Sequence, residues 1–421
     1  MSESEISVVH QKINEKENVT NNNANKLETN SLVSIPSKVD DFWHSVLSLC
    51  FQNNPNHFGL EFPSSMYDQF EYLDSGTYSH VIKAFDKSLG NVPIVFKIIK
   101  VIQRELCYRM TKISLNGFEL YSETFQEIVI VKMLSKLHQT ICDEAGYEYC
   151  THAYPRLYRT RVVHGDIPNY FLIGKYDETY SKVKPIEHFK ETIGVPREHL
   201  VLVMKYGGQS LWDLLQATDS NRLMADQLIS ICYQITMALW VAEAVLQFEH
   251  RDLHMCNVLV KRTKKASIEY KYRSNKYRVK SYGIKICLID NTFSRIAMAG
   301  VPYYTNLSAR LRDMVHKTEP EEHEVAYAEM YRLIGDCWRD WFPITNLIWM
   351  RQMFTTLAHT ETFRTEADHH HKMIIERLIQ LTSKCSNVAE YVTQLYKQKK
   401  STINASRTSI ANNSILSLIN L

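Results

Sequence analysis

The pattern of apolar and polar positions divides the chain into unlike parts. Residues 1–38 are rich in Glu, Lys, Ser and Asn, include the run Asn21, Asn22, Asn23, and show no sustained apolar period. Such a segment lacks the side chains to offset its ordering entropy, which predicts a disordered tail. From DFWHSVLSLC onward apolar residues become dense. Strand-like runs, HVIKAF from 80, VPIVFKIIKV from 92 and LVLVMKY from 200, surround one helical segment, SETFQEIVIVKMLSKLH at 122–138. In it Phe125, Ile128, Met133, Leu134 and Leu137 follow a helical period, with Ser122 or Thr124 as the expected cap. After GGQSL at 207–211 the pattern turns helical: residues 225–250 read as one long buried helix, and 327–342 place Tyr327, Met330, Ile334, Trp338 and Trp341 on one stripe. The expectation is an α+β fold of two lobes. A β-rich lobe with an N-terminal extension covers 39–204, a helical lobe covers 205–400, Gly207 and Gly208 form a hinge, and 401–421 is a tail.

Composition narrows the classes. With 421 residues, 45% hydrophobic, and a formal charge of +3, the chain can build a substantial core, and its charge is too small to argue for nucleic-acid binding. The nine cysteines (50, 107, 142, 150, 232, 256, 287, 337, 385) show no paired spacing, so neither a zinc ribbon nor a disulfide framework is suggested. The N terminus has no basic-then-apolar leader, and the most apolar window, 235–248, is interrupted by Glu243 and too short to span a bilayer. A soluble protein of a reducing compartment, without membrane contact, is expected.

The chemistry concentrates at HRDLHMCNVLV, residues 250–260. His250, Arg251, Asp252, Leu253 and Asn257 fill every fixed position of the kinase catalytic-loop pattern H-R-D-L-x-x-x-N. A hydroxyl attacking a phosphoryl group needs a carboxylate to take or orient its proton, here Asp252, and a metal bridging the phosphates takes hard oxygen ligands, here Asn257. A second metal ligand should follow an apolar run. KICLIDNTFSR supplies Asp290, in DNT where most kinases read DFG. Upstream, Lys97 in VPIVFKIIKV takes the role of the strand lysine that holds the α- and β-phosphates; Lys100 competes, but its offset of three puts it on the opposite strand face. The carboxylate partner is assigned to Glu127 rather than Glu123, because Glu127 lies within the apolar helix.

The phosphate-covering loop is depleted. Of G-x-G-x-x-G only Gly76 remains, with Asp74 and Ser79 at the flanking positions, so reduced nucleotide affinity is expected. Two other strings are set aside. HGD at 164–166 has Phe171 five positions after Asp166, so no metal amide follows, and His369, His370 and His371 cannot share one helical face.

These motifs together resemble haspin-type protein kinases. That family reads HRDLHWGNVLL at the catalytic loop, then a long basic hairpin, then IIDYTLSR; this chain reads HRDLHMCNVLV, a basic stretch at 261–285, then CLIDNTFSR. FQEIVIVKMLSKL, VLVMKYGGQSL and MYRLIGDCWRDWFPITNLIWMRQM also resemble family segments, and both lack an APE motif. The likeness runs from about residue 70 to 360. Met255 and Cys256 replace Trp and Gly, and Asn291 replaces Tyr. The resemblance implies a two-lobed kinase using ATP and magnesium, with Asn257 and Asp290 as metal ligands. It places Met204 as gatekeeper, Lys205, Tyr206 and Gly207 at the adenine edge, and Leu73 and Val81 beside the nucleotide. It further implies activity without activation-loop phosphorylation, transfer to serine or threonine, and a favoured threonine near the N terminus of a histone tail during mitosis. A nuclear, chromosome-associated monomer is the corresponding expectation, with the cytoplasm as alternative. Glu319, Glu321, Glu322, Glu324 and Glu329 would make an acidic surface for such a basic tail, or serve only as a solvated helix start. Residues 261–285 carry ten Lys or Arg against Glu269 alone, read as an exposed ribbon resisting edge pairing rather than a nucleic-acid contact.

Overall fold

The computed structural model describes residues 39–75, 79–102, 119–172, 198–217, 222–312, 322–406 and 419–420. The N-terminal part is a seven-stranded sheet. Its order is Asn56–His57, Leu157–His164, Glu198–Lys205, Val92–Ile102, Ser79–Asp86, Tyr67–Ser75, with Glu119–Leu120 on the end of Val92–Ile102. Pairing is antiparallel except at the two short strands Asn56–His57 and Glu119–Leu120.

Alternation along Val92–Ile102 decides what each face does. Ile94, Phe96 and Ile98 enter one core with Phe58, Phe62, Tyr67 and Phe171. Phe96 meets Phe62 and Phe171 edge-on at 5.5 and 4.9 Å between ring centroids, the arrangement aromatic quadrupoles favour. Lys97, Ile99 and Val101 point the other way, where Ile99 and Val101 pack with the helix Tyr121–Lys136. That helix buries Phe125, Ile128, Met133 and Leu134, with Leu137 buried one residue beyond its end, and Thr124, Gln126 and Glu127 as well. Phe42, from the helix Val39–Leu49, closes over Phe125 at 5.6 Å. The expected caps fail, since Ser122 and Thr124 both lie inside the helix; the strand Glu119–Leu120 feeds it directly.

Besides the two-residue strands Asn56–His57 and Glu119–Leu120, two longer strands of this sheet escaped the pattern. Tyr67–Ser75 is broken by bulges between Asp68 and Glu71 and between Tyr72 and Asp74, which spoil its alternation. Leu157–His164 carries Arg159 and Arg161, which reach Asp86 at 2.5 Å and Glu61 at 2.6 Å. Gly165 and Asp166 follow its end in a loop, as expected.

The two parts meet at Gly207 and Gly208, which are less a free joint than a point of close approach. The strand Gln209–Ser210 pairs with Val258–Arg262. A Cβ on Gly208 would lie 2.2 Å from the Val260 carbonyl oxygen, at a backbone φ of +127°, and one on Gly207 would lie 2.8 Å from Leu259 Cδ1.

The helical part forms around Ala225–Leu246. The helix stops at Leu246, four residues short of expectation, because Gln247 turns left-handed (φ 47°) and donates to Glu243 O. By length and composition this helix could cross a bilayer, correcting the reading that nothing here is long enough, yet 89% of its apolar window is buried inside the protein. Glu243, the interruption in that window, is buried and accepts from Asn346 Nδ2 and Val388 N, both at 3.1 Å. It thereby ties the helices Ile344–His359 and Val388–Ser406 to the central one, and burial pushes its carboxyl up to about 7. The helix Glu322–Ile334 buries Tyr327, Met330 and Ile334. Trp338 is buried from the loop beyond it, whereas Trp341 is 40% exposed, so the stripe ends before Trp341.

The basic stretch forms a ribbon, Ser267–Tyr272 paired with Asn275–Lys280. It is only half exposed: Tyr270 and Val279 are buried, and Tyr272 stacks on Trp240 of the central helix at 3.6 Å. Near the C terminus, Ile419–Asn420 pairs with Asn275–Lys280. His369, His370 and His371 open the helix His369–Thr382, where His371 binds Asp368 and Asp226. Among the described residues no His, Cys, Asp or Glu cluster has metal-site geometry, and all eight described cysteines are free.

Gly208→Ala is expected to destabilise the fold by about 2–4 kcal/mol, because strain and a backbone clash act together. Urea unfolding against wild type measures this; an unchanged midpoint would deny the close approach.

Candidate active site

The candidate site lies where the sheet, the helix Tyr121–Lys136 and the loop after the central helix converge. Lys97 Nζ is bonded to Glu127 Oε1 at 2.7 Å and to Asp290 Oδ1 at 3.2 Å. Thr292 Oγ1 lies 3.3 Å from Lys97 Nζ and donates to Asp290 Oδ1 at 2.8 Å. Glu127 is 2% and Lys97 13% exposed at the side chain, so the pair is held out of water. The competing Glu123 instead binds Arg310 at 3.1 Å, and Lys100 falls on the opposite strand face. Burial works against an ionised Asp290, but the Lys97 charge and the bonds from Thr292 and Lys97 outweigh it and hold its carboxyl down at about 2.

The loop carrying Asp252 is fixed from beneath. Arg251 is fully buried with a left-handed backbone (φ 64°). Its guanidinium donates twice to Glu249, at 3.1 Å each, and to the Trp338 carbonyl at 2.9 Å. Glu249 also accepts from Phe342 N at 3.0 Å and Thr345 Oγ1 at 2.8 Å. A buried charge this well satisfied forms a rigid base. His250 is buried, sits 3.1 Å from Ile289 O through Nε2, and has its pKa lowered by burial to about 4.

Above this base Asn257 Nδ2 donates to Asp252 O at 2.8 Å and to Asp252 Oδ2 at 3.2 Å. Asp252 Oδ1 accepts from the Tyr327 hydroxyl. Burial, then the Asp290 charge, push the Asp252 carboxyl well above the usual carboxylate range, while the bonds from Tyr327 and Asn257 pull it back in part. The strands Val258–Arg262 and Ile284–Leu288 run side by side, Val258 opposite Leu288, and Ile289 N donates to Asn257 O at 3.0 Å. This pairing carries Asn257 and Asp290 to the same end of the two strands, although Asp290 stands 38 residues beyond Asp252 in sequence.

The expected nucleotide residues divide. Val81 lies opposite Lys97, and Lys97 opposite Leu202, so these share the face toward the site, as does Met204 opposite Val95. Asp74 lies opposite Val81 on that same row. Leu73 occupies the bulge beside it and is 39% exposed. Lys205 N donates to Arg156 O and Tyr206 N to Pro93 O, while Gly207 packs on Leu259. Gly76 lies outside the described residues. So do Glu319 and Glu321 of the expected acidic surface; Glu324 is buried and Glu329 is bound by Arg351, which leaves little described support for that surface.

Two residues were missed. Thr292 sits two after Asp290, and only that spacing could have flagged it. Tyr327 was counted as core, and its ring is indeed packed edge-on against Trp349 at 4.9 Å. A buried phenol, however, needs an acceptor for its hydroxyl, and here the acceptor is Asp252.

A small sheet whose Lys97 pairs with Glu127 of the helix packed on it, joined to a helical part carrying an Asp–Asn loop and a following Asp, defines a two-lobed protein-kinase fold. Residues 3–410 match the model of the haspin-like kinase domain, and the chain belongs to that family. It is 26% identical over 317 residues to the serine/threonine-protein kinase haspin of Bos taurus, covering 75% of this chain and 38% of that protein. To the haspin homolog of Drosophila melanogaster it is 25% identical over 338 residues, 80% of this chain and 56% of the relative. The Schizosaccharomyces pombe haspin homolog hrk1 is 20% identical over 402 residues, 91% of this chain and 73% of the relative. The chain thus spans between about two-fifths and three-fifths of the length of the first two relatives.

Tyr327→Phe removes the hydroxyl and keeps the packed ring. If Tyr327 orients Asp252, kcat for peptide phosphorylation should fall about tenfold, the worth of one good hydrogen bond, with peptide KM and melting temperature unchanged. Steady-state kinetics beside a thermal melt decides this; an unaltered kcat would make Tyr327 core alone.

Proposed function

We propose that this chain is an ATP-dependent serine/threonine protein kinase that phosphorylates a threonine near the N terminus of a basic, histone-type tail. The observation that carries the reading is Lys97 bound at once to Glu127 and Asp290, beside an Asp252 that is locked to Asn257. In this reading residues 39–204 and 205–400 act as the two lobes, with 1–38 and 401–421 outside them.

The donor set fits magnesium with ATP. Asn257 spends Nδ2 on Asp252, which leaves its amide oxygen for a cation, and Asp290 keeps Oδ2 after Oδ1 has met Lys97 and Thr292. These are hard oxygen ligands, two from protein, as magnesium on a nucleotide commonly takes. A magnesium ion held by Asn257 and Asp290 would supply charge neutralisation for the phosphates. Lys97 is oriented by Glu127 toward the α- and β-phosphates. Asp252 takes or directs the proton of the attacking hydroxyl. Val81, Met204 and the backbone of Lys205, Tyr206 and Gly207 border the adenine. Asp74, on the row of Lys97, weakens nucleotide binding by repulsion.

The Arg251 guanidinium is occupied by Glu249 and the Trp338 carbonyl. Because this fully buried arginine already has a carboxylate partner within the chain, it needs no added phosphate to satisfy its charge, which supports activity without activation-loop phosphorylation. The basic-tail preference rests on family membership, as does a nuclear, chromosome-associated place of action.

The test is radiolabel transfer from ATP to a panel of histone-tail peptides by wild type and Asp252→Asn. Transfer to a threonine peptide, falling at least about a hundredfold in the variant, is expected from the worth of a positioned base. No transfer by either, with ATP and magnesium still raising the melting temperature, would instead mean a nucleotide-binding scaffold.

A further inference from the structure

Beside the hinge, and away from Asp252, lies a concentration of lysine side-chain charge to which neither the fold nor the proposed catalysis gives a role. Lys261 and Lys285 stand directly opposite one another on the paired strands Val258–Arg262 and Ile284–Leu288. Like charges at cross-strand positions destabilise a pair, so this arrangement is unfavourable for the sheet. Both side chains are half-buried, which adds desolvation. The ring of Tyr206 gathers two ammonium groups, Lys83 at 4.9 Å and Lys261 at 5.4 Å from its centroid. Burial first, then Lys205, lowers the pKa of Lys261 and of Lys285; Lys83 adds to this at Lys261, and Lys261 and Lys265 add to it at Lys285. The same group reaches His152, whose pKa is lowered by burial and then by Lys265, Lys285 and Lys205.

The contrast with the neighbouring ribbon is sharp. There Glu269 meets Arg278 at 2.9 Å and Lys276 at 3.5 Å, and Glu148 meets Lys271 at 3.0 Å. At the hinge, Lys83 has Glu71 at 2.5 Å, but among the described residues no carboxylate pairs with Lys205, Lys261, Lys265 or Lys285. A repulsive, uncompensated cluster is what a binding surface looks like when its counter-charge comes from another molecule.

We propose that the cross-strand pair Lys261 and Lys285, with Tyr206 against Lys261 and with Lys205 and Lys265 near enough to act on the pair's charges, forms a docking surface for a short acidic segment of a protein partner. The cluster is compact, centred on one cross-strand pair and one tyrosine. It suits a few carboxylates in succession rather than a duplex, whose backbone is tracked by a longer row of charges. It borders the proposed adenine edge through Lys205 and Tyr206 but is separate from the catalytic loop. Lys261 lies four residues along its strand from Asn257, and Lys285 five before Asp290, toward the hinge and away from the Asp252 carboxylate. The partner would therefore recruit or hold the enzyme without occupying the catalytic loop.

The test uses the full chain and reads binding alone, so it stands or falls separately from phosphate transfer. Fluorescence anisotropy compares labelled decaglutamate, decaglutamine and a short DNA duplex of equal charge, with wild type and with the double variant Lys261→Glu, Lys285→Glu. Decaglutamate should bind wild type, decaglutamine should not, and the variant should bind decaglutamate at least about tenfold more weakly. The melting temperature should rise in the milder Lys261→Gln variant, since repulsion across the strands is relieved, and binding should still weaken there. No binding of decaglutamate by wild type, or equal binding by the variants, overturns the proposal. Tighter binding of the duplex than of decaglutamate overturns it in favour of a nucleic-acid surface.

Discussion

The structure depends on one lysine with two carboxylate partners that come from different parts of the chain. Lys97 is on the central strand of the sheet, Glu127 on the helix packed over it, and Asp290 on the loop leaving the second part of the molecule. Each partner is supported by packing that has its own cause. Alternation along Val92–Ile102 sends Ile94, Phe96 and Ile98 into the aromatic core, and so leaves Lys97 on the helix side. Burial of Phe125, Ile128 and Leu134 sets the rotation of the helix, and that rotation brings Glu127 inward. Removing one member of a buried pair of this kind typically costs about 3–5 kcal/mol, because the other charge is left unpaired. The arrangement therefore cannot relax quietly into another.

A second buried ion pair does the same for the other half of the site. Arg251 and Glu249 are both fully buried, two residues apart, and their bonds extend to Trp338, Phe342 and Thr345. This holds the loop with Arg251 left-handed, so that Asp252 turns away from the core toward Asn257. Asp290 is left-handed too, and its carboxylate meets Lys97 from that turn. Of these two left-handed positions, Arg251 immediately precedes Asp252 and Asp290 is itself the other proposed working carboxylate, each held by satisfied polar contacts around it. The Tyr327 hydroxyl then closes Asp252 from the helix side, with Trp349 behind the ring.

Much of this was legible in the sequence, because the kinase catalytic-loop pattern and the strand lysine set particular residue types at particular intervals. Asp252, Asn257, Asp290 and Lys97 could be named from strings alone. Glu127 over Glu123 followed from asking which carboxylate lay within the apolar helix, and Arg310 on Glu123 agrees with that choice. What escaped has physical causes. Bulges concealed the strand Tyr67–Ser75, and outward arginines concealed Leu157–His164. The end of the central helix depends on a left-handed Gln247 that no glycine announced. Tyr327 reaches Asp252 across 75 residues, and its apolar neighbours in sequence spoke only for burial. Gly207 and Gly208 suggested a loose joint, whereas tertiary contact makes them the places where two backbones nearly touch.

The claim that Glu127 fixes Lys97 for a nucleotide is tested most directly by titrating ATP with magnesium into wild type and Glu127→Gln by calorimetry. Gln keeps the volume and the packing of the helix but removes the charge that orients Lys97. The account predicts nucleotide binding to wild type and an affinity at least about tenfold lower in the variant, as expected for loss of one charged hydrogen bond. Equal affinity in the two proteins would contradict it.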